Sequence, residues 1–548
     1  MSMFASVFVP MIVLGAAASP VGSVGIVLPE PASGIVERIA AIASRQIAAR
    51  SDVQVVRSGE TDFVLTLAVD PALPREGFEI ADASDGGIRI AGWDAHSILY
   101  GLGKFLRTSR YDGGFTPSTW RGQSSPEGAF RAVYAATHFN NFYEAAPPDE
   151  VAAYIEDLAL WGANAVIVHF PTWSFAGYDD PAARRNIEQT RRLLQAAKAI
   201  GMKTGLIQCP NQGFTSAPDN VRAEPNRDPQ RRRGDAGVNC CPSKPEGMAY
   251  LLDLYARLFD EYKDIGLDYF MSWPYDEGGC GCAACAPWGG NAFPALSKKV
   301  AALGRAVYPD INVILSTWVY DVPPEGEWEG LTAYLNEDHT WLDAILSDDH
   351  FDFPRYPLDH GVPARLPLYN FPEISMWGRS PWGGCGANPL PARYEALWKQ
   401  TDGKLSGGMP YSEGIFEDMN KVVCFQFYWN KNTAAEDTLR EYAAFEFSPE
   451  AVEDVIEAVR LLEAAWIERG PKSVEAFQLL EKVDAALPSR AKAAWRWRLL
   501  YLRGLIDAEL ARNGNKMEGD ILRNAFRELT AIYHAENAHP AVKPHAVP

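Results

Sequence analysis

Apolar and polar positions along the chain follow two rhythms, and the change between them divides the sequence. Residues 35–50 repeat apolar side chains at helical spacing, while 52–56, 63–69, 77–80 and 87–91 alternate as short strands broken by turn residues. Residues 93–106 return to a helix, and a connector rich in Pro, Ser and Gly follows over 116–128. Beyond it, apolar strands and amphipathic helices take turns. Strands are predicted over 130–137, 165–170, 203–208, 268–273, 312–317, 366–370 and 404–410, with a weak one between 331 and 353. Helices are predicted over 148–162, 180–200, 245–262 and 293–308, the first opening on Pro147-Pro148-Asp149-Glu150 with the proline and acidic first turn that helix starts favour. Eight such βα units predict a closed (β/α)8 TIM barrel. After residue 433 the strand pattern disappears, and 448–469, 473–486, 488–513 and 520–535 read as amphipathic helices. The expected architecture is α/β: an α+β N-terminal domain over 20–128, a (β/α)8 barrel over 129–432 and an all-α C-terminal domain over 433–548.

The first 19 residues stand apart. An apolar run from Phe4 to Leu14, followed by Gly15-Ala-Ala-Ala-Ser19, has the core and small-residue end of a signal peptide but no basic start. It predicts a secreted or periplasmic protein, with a hydrophobic N-terminal strand or leader as the alternative. No later stretch approaches the roughly 20 apolar residues of a membrane span. A formal charge of −19 argues against a nucleic-acid partner and against docking on anionic lipid.

The fourth predicted strand ends in Trp273-Pro-Tyr275-Asp276-Glu277, and two adjacent carboxylates at a barrel strand end lie where such folds place their chemistry. Carboxyl pairs suit glycosidic bond cleavage, which needs a proton for the leaving oxygen and a second group at the oxocarbenium-like centre. The alternative is a loop pair that caps a helix or meets an arginine. Glu373 and Glu413 follow the seventh and eighth strands and are further candidates for nucleophile or base. His138, Asn141, His169, Trp173, Asn211, Tyr275, Trp318, Tyr320, Asn370 and Trp377 fall near strand ends, as hydroxyl binders and stacking faces or as loop packing.

All eight cysteines fall mid-chain. Cys280, Cys282 and Cys285, with Cys240-Cys241 upstream, fit either a thiolate zinc site or one or two disulfides pinning the loop after the acidic pair. A second complete CxxC pair is missing, and no histidine is placed to activate a thiol, so a structural staple is expected in place of a catalytic cysteine. No catalytic metal and no cofactor are expected.

Gly92, Tyr100, Gly101 and Leu106, on a strand–turn–strand–helix pattern, resemble the small α+β domain that precedes the barrel in glycoside hydrolase families 20, 67 and 84, where it is structural support. Tyr275-Asp276-Glu277 with Cys280 resembles the fourth-strand motif of family 20. Phe130-Arg131-Ala-Val is similar to that family's sugar-binding arginine, and 162–169 to its second strand ending in His. The resemblance implies Glu277 as acid/base, Asp276 orienting the substrate's acetamido group as nucleophile, and Arg131 holding sugar hydroxyls. Two departures stand out: Phe170-Pro-Thr-Trp173 replaces Leu-Thr-Asp, and Tyr275 replaces Gly. The run Cys280-Gly-Cys-Ala-Ala-Cys285 resembles the group containing family 163, which cleaves β-linked N-acetylglucosamine in complex glycans. These likenesses imply a glycosidase for β-linked N-acetylhexosamine in an oligosaccharide or polysaccharide, retaining and substrate-assisted. Two alternatives remain: an inverting α-glucuronidase of family 67 type, with Arg131, Lys244, Arg355 and Arg379 available to a uronic acid, and a carbohydrate-binding barrel without catalysis.

Overall fold

A computed structural model describes residues 19–57, 59–84, 86–138, 141–225, 238–275, 278–322, 325–374, 380–382 and 388–536. Asp276, Glu277, Trp377, Arg379, Cys385 and the apolar run 4–14 lie outside the described residues.

The N-terminal region is a six-stranded sheet carrying the helices Gly34–Arg50 and Ser97–Thr108. Two of its strands were not expected. Ser23–Val27 sits mid-sheet between Gln54–Val56 and Phe63–Val69, and Gly122–Ser124 pairs antiparallel with Phe78–Ile80. Gly122-Gln-Ser has no apolar pattern to read: backbone pairing holds it, with Gln123 donating to Glu79 at 2.9 Å and Ser124 accepting from Trp429 at 2.8 Å. The helix Ser97–Thr108 passes so close to the barrel's first helix that a Cβ on Gly103 would lie 1.9 Å from the Leu160 carbonyl oxygen.

Eight parallel strands then close a barrel, as the alternation predicts: Phe130–Ala135, Ala165–His169, Lys203–Gln208, Tyr269–Ser272, Asn312–Ser316, Ala344–Asp349, Leu368–Pro372, and an eighth made of Gly407–Gly408 and Tyr411–Ser412. The eighth falls later than 404–410 and is split at Met409-Pro410, where proline offers no N–H to a ladder. Closure pairs Gly407 with Phe130 and Tyr411 with Tyr134. At Gly407 φ is +130° and a Cβ would stand 1.9 Å from the Phe130 carbonyl, so the seam requires glycine. The weak sixth strand is Ala344–Asp349.

Side chains alternate about the barrel wall with the period of two that strands impose. Phe130, Ala132 and Tyr134 point inward, as do Ile314, Ala344, Leu346, Phe371, Met409 and Tyr411. Two aromatic clusters close the interior. Phe130, Tyr269 and Tyr369 meet near the strand starts, with centroids 5.1 and 4.7 Å from Phe130. Near the strand ends, Tyr134, Trp273, Trp318, Phe371 and Tyr411 meet at 4.8 to 5.9 Å.

The C-terminal region is helical: Ala435–Glu446, Val452–Ala464, Pro471–Ala486, Trp495–Arg512 and Asp520–Ile532. The predicted helix over 488–513 breaks at Ala494, which is extended at ψ 137°. Arg496 joins this layer to the barrel through Asp418, at 2.8 Å, and Asp157, at 3.1 Å. Trp497 is fully buried, its Nε1 donating to Asp484, so it serves packing. Among the described residues, no helix is long and apolar enough to cross a membrane.

Candidate active site at the carboxyl ends of the barrel strands

The same alternation that fills the barrel decides which side chains reach its mouth. Following each inward row to the carboxyl end of its strand brings His138 and His169 from the first two strands, Trp273 and Trp318 from the fourth and fifth, and Asp348, Glu373 and Glu413 from the sixth to eighth. The mouth therefore carries three carboxyls on neighbouring strands above a floor of rings.

Glu413 is fully buried and accepts a 2.5 Å hydrogen bond from the Tyr411 hydroxyl on one oxygen, while Oε2 is buried with no hydrogen-bond partner among the described residues. Burial pushes this carboxyl well above the ordinary glutamate range, against the Tyr411 hydrogen bond and helped by the charges of Glu373 and Glu417. Glu373 is bridged to Tyr411 across the two strands. Glu417 accepts from the backbone N–H of Glu413 at 2.8 Å and faces Lys421 at 3.3 Å, so it holds the turn beneath.

Asp348, half-buried, accepts from the backbone N–H groups of His350 at 2.9 Å and Val319 at 3.4 Å. Burial raises it to about 7, the backbone donors notwithstanding, and the charge of Asp321 adds to the rise. Val319 holds φ at +55°, a conformation costly for a β-branched residue and one that recurs where loops are shaped for function. It follows Trp318, whose ring lies 5.1 Å from Trp273 and meets His350 edge-on. His169 is buried and held near pKa 4 by that burial, so it is neutral at neutral pH. Its Nδ1 lies 2.9 Å from the Ile207 carbonyl; the proton sits there, leaving Nε2 as an acceptor. The His138 ring stands 5.3 Å away, edge-on.

Several predicted contacts lie elsewhere. Arg131 is not at the mouth: it is the second residue of the first strand, faces outward and is fully buried. Its guanidinium donates to Glu76 at 2.7 Å, Tyr100 at 2.9 Å and the carbonyls of Gly128 and Gly162, so it seals the barrel base to the N-terminal sheet. Asn370 sits at an outward position of the seventh strand, donating to Asp349 at 2.6 Å and accepting from Tyr428 at 2.7 Å. Asn141 is committed to capping a short helix, with Oδ1 accepting from Tyr143 and Nδ2 donating to Ala136. Tyr275 is fully buried, its hydroxyl bonded to Glu327, and the Tyr320 hydroxyl donates to the Gly289 carbonyl at 2.6 Å. Asn211, also fully buried, clasps Gly279 in both directions, at 2.9 and 2.8 Å. These last three brace the loop after the fourth strand. Trp173 is half-buried on the turn Thr172–Ser174.

Asp348 was missed because the sixth strand was the weakest in pattern. The run Ala344-Ile-Leu-Ser-Asp348-Asp349 ends an apolar stretch in adjacent acids, the same signature that marked Asp276-Glu277.

No protein-family model matches the sequence, and no curated protein is similar to it in sequence. Solved structures share its fold. A family 115 4-O-methyl-α-glucuronidase with specificity for decorated arabinogalactans superposes with a TM-score of 0.62 at 12% identity, covering 96% of this chain and 78% of that one. A family 89 glycoside hydrolase from Clostridium perfringens, with two glutamates replaced by glutamine and bound to GlcNAc-α-1,4-galactose, gives 0.59 at 12% identity, over 91% of this chain and 64% of its own length. A family 20 exo-β-N-acetylglucosaminidase from Vibrio harveyi, bound to N-acetylglucosamine, gives 0.51 at 11% identity, over 81% and 75%. The fold is thus one that glycoside hydrolases use.

Proposed function

We propose that the chain is a glycoside hydrolase that cleaves β-linked N-acetylhexosamine with retention, the substrate's own acetamido group serving as nucleophile. The observation that carries the reading is the row of inward carboxyls, Asp348, Glu373 and Glu413, beside an aromatic floor at the end of the barrel where this fold places its chemistry. Glu277 protonates the leaving oxygen and Asp276 holds the acetamido nitrogen. Support for that assignment comes from the flanks of the pair, since Tyr275 on one side and Gly279 on the other are both anchored. Trp273 and Trp318 offer ring faces to a pyranose, and the neutral His169 accepts from a hydroxyl through Nε2. Glu413, kept protonated, donates to the sugar from the eighth strand.

The family 115 neighbour favours a second reading, an α-glucuronidase-like hydrolase. A uronate needs a cation at the mouth, and three of the four available ones are engaged elsewhere: Arg131 at the barrel base, Lys244 with the Arg222 carbonyl, Arg355 with Asp359. Proton NMR of the first-formed anomer, with an aryl N-acetyl-β-glucosaminide and an aryl α-glucuronide offered in parallel, separates the two. The expected product is β-N-acetylglucosamine. Exclusive turnover of the glucuronide, or an inverted anomer, overturns the first reading.

A further inference from the structure

We propose that Cys241, Cys280, Cys282 and Cys285 form a structural tetrathiolate zinc site that clamps the loop carrying Asp276 and Glu277. Their four sulfurs all lie within 4.8 Å of one another, the one group of this kind among the described residues. Cys241 Sγ is 3.8 Å from both Cys282 Sγ and Cys285 Sγ. Four Zn–S bonds of about 2.3 Å at tetrahedral angles put sulfurs about 3.8 Å apart, whereas a disulfide needs about 2.05 Å. The separation is that of sulfurs sharing a metal.

The surroundings suit thiolates. The backbone N–H groups of Cys282 and Glu224 are hydrogen-bonded to Cys280 Sγ, and the Ser243 hydroxyl lies 2.9 Å from Cys241 Sγ and 3.4 Å from those of Cys282 and Cys285. Such donors stabilise metal-bound sulfur and fix its orientation. Cys282 to Ala286 folds as a tight turn, the N–H groups of Cys285 and Ala286 donating to the Cys282 carbonyl at 3.0 and 3.1 Å, which brings two ligands of one CxxC to a single point. Cys241, Cys280 and Cys285 are buried, and Cys282 is partly exposed, which gives an entering ion a path. Cys240 is not a ligand: its sulfur faces Gly213. An all-sulfur tetrahedral set selects zinc or iron, and a closed four-ligand site with no open position is structural.

The consequence is mechanical. Cys241 precedes the helix Pro245–Glu261, which follows the third strand, while Cys280 lies three residues beyond Glu277, so one ion ties two adjacent barrel loops together. On binding, the four thiols release their protons and Zn2+ takes their place. This site does not depend on the glycosidase reading, and its test does not use activity.

The full chain, purified without reductant or metal-affinity resin, is analysed by inductively coupled plasma mass spectrometry. About one zinc per chain is expected, lost in C241S and in C282S and kept in C240S. Because ligand variants can misfold, the unmutated protein supplies a second readout. In denaturant with chelator and no reductant, all eight cysteines should react with a thiol reagent, whereas two disulfides within the cluster would leave four. Cobalt(II) in place of zinc should give the intense visible absorption of tetrahedral thiolate coordination. Iron as the bound metal, four or six reactive thiols, or a metal-free protein that takes up neither zinc nor cobalt would each overturn the proposal.

Discussion

The two ends of the barrel bury charge in opposite ways. At the base, Arg131 is sealed from water and every arm of its guanidinium is answered, by Glu76, Tyr100 and two carbonyls. At the mouth, Glu413 is equally sealed yet keeps one oxygen unanswered among the described residues, with other carboxyls for neighbours. Burial costs both groups; the base offsets that cost with an opposite charge, the mouth by holding its proton. Glu76 shows the pairing from the other side: burial alone would raise it, but Arg131 brings it below the ordinary range. A satisfied buried charge is architecture, and a frustrated one is where chemistry is stored.

That contrast can be broken at several points. The largest effect on stability is expected at the base. Arg131→Met leaves Glu76 with the Asn164 amide but without its counter-charge and should cost about 3–5 kcal/mol by urea unfolding, with KM unchanged in the fraction that folds. A raised KM with little loss of stability would return Arg131 to the sugar. Next, Glu413→Gln keeps a donor and should leave stability equal or higher, because the amide removes a carboxyl that resists ionisation, whereas Glu413→Met removes the donor and should lower kcat/KM by about 10²-fold. Unchanged kinetics would make Glu413 a packing residue.

The two ends should also respond oppositely to pH. Glu76 is lowered, so its contribution is present above its unfolded pKa and is lost on acidification. Asp348 and Asp349 are raised to about 7 and about 8, chiefly by burial, so the folded state holds their protons longer than the unfolded state. Their effect on stability is therefore greatest below about pH 4 and declines as pH rises toward about 8. Asp349→Asn should flatten that decline, its Tm advantage over the unmutated chain widening between about pH 5 and pH 9. A constant Tm difference across the range would show that Asp349 does not titrate there. The smallest effect is expected at the floor: Trp318→Ala should raise KM several-fold with kcat nearly unchanged, as lost ring stacking worth about 0.5–1.5 kcal/mol allows.

Much of the barrel was legible because strand periodicity survives in sequence: the first five strands fall within two residues of expectation, and the rows that fill the barrel point on to His169, Trp318, Glu373 and Glu413. What escaped was whatever depends on direction. Asn370 and Asp348 both sit near strand ends, but a shift of one position turns one outward to Asp349 and the other inward. Arg131 resembled a sugar ligand by neighbouring residues, yet it lies near the start of its strand, so the same parity and polarity send it to the base. Cys241 was unresolved because its partners lie about 40 residues further on, and only the fold brings the sulfurs together.

Glu277 as proton donor is tested by the turnover of an aryl N-acetyl-β-glucosaminide by Glu277→Gln beside the unmutated chain. In the variant, kcat/KM is expected to fall by about 10²–10⁴-fold with the Tm preserved. Equal turnover by the two proteins would contradict it.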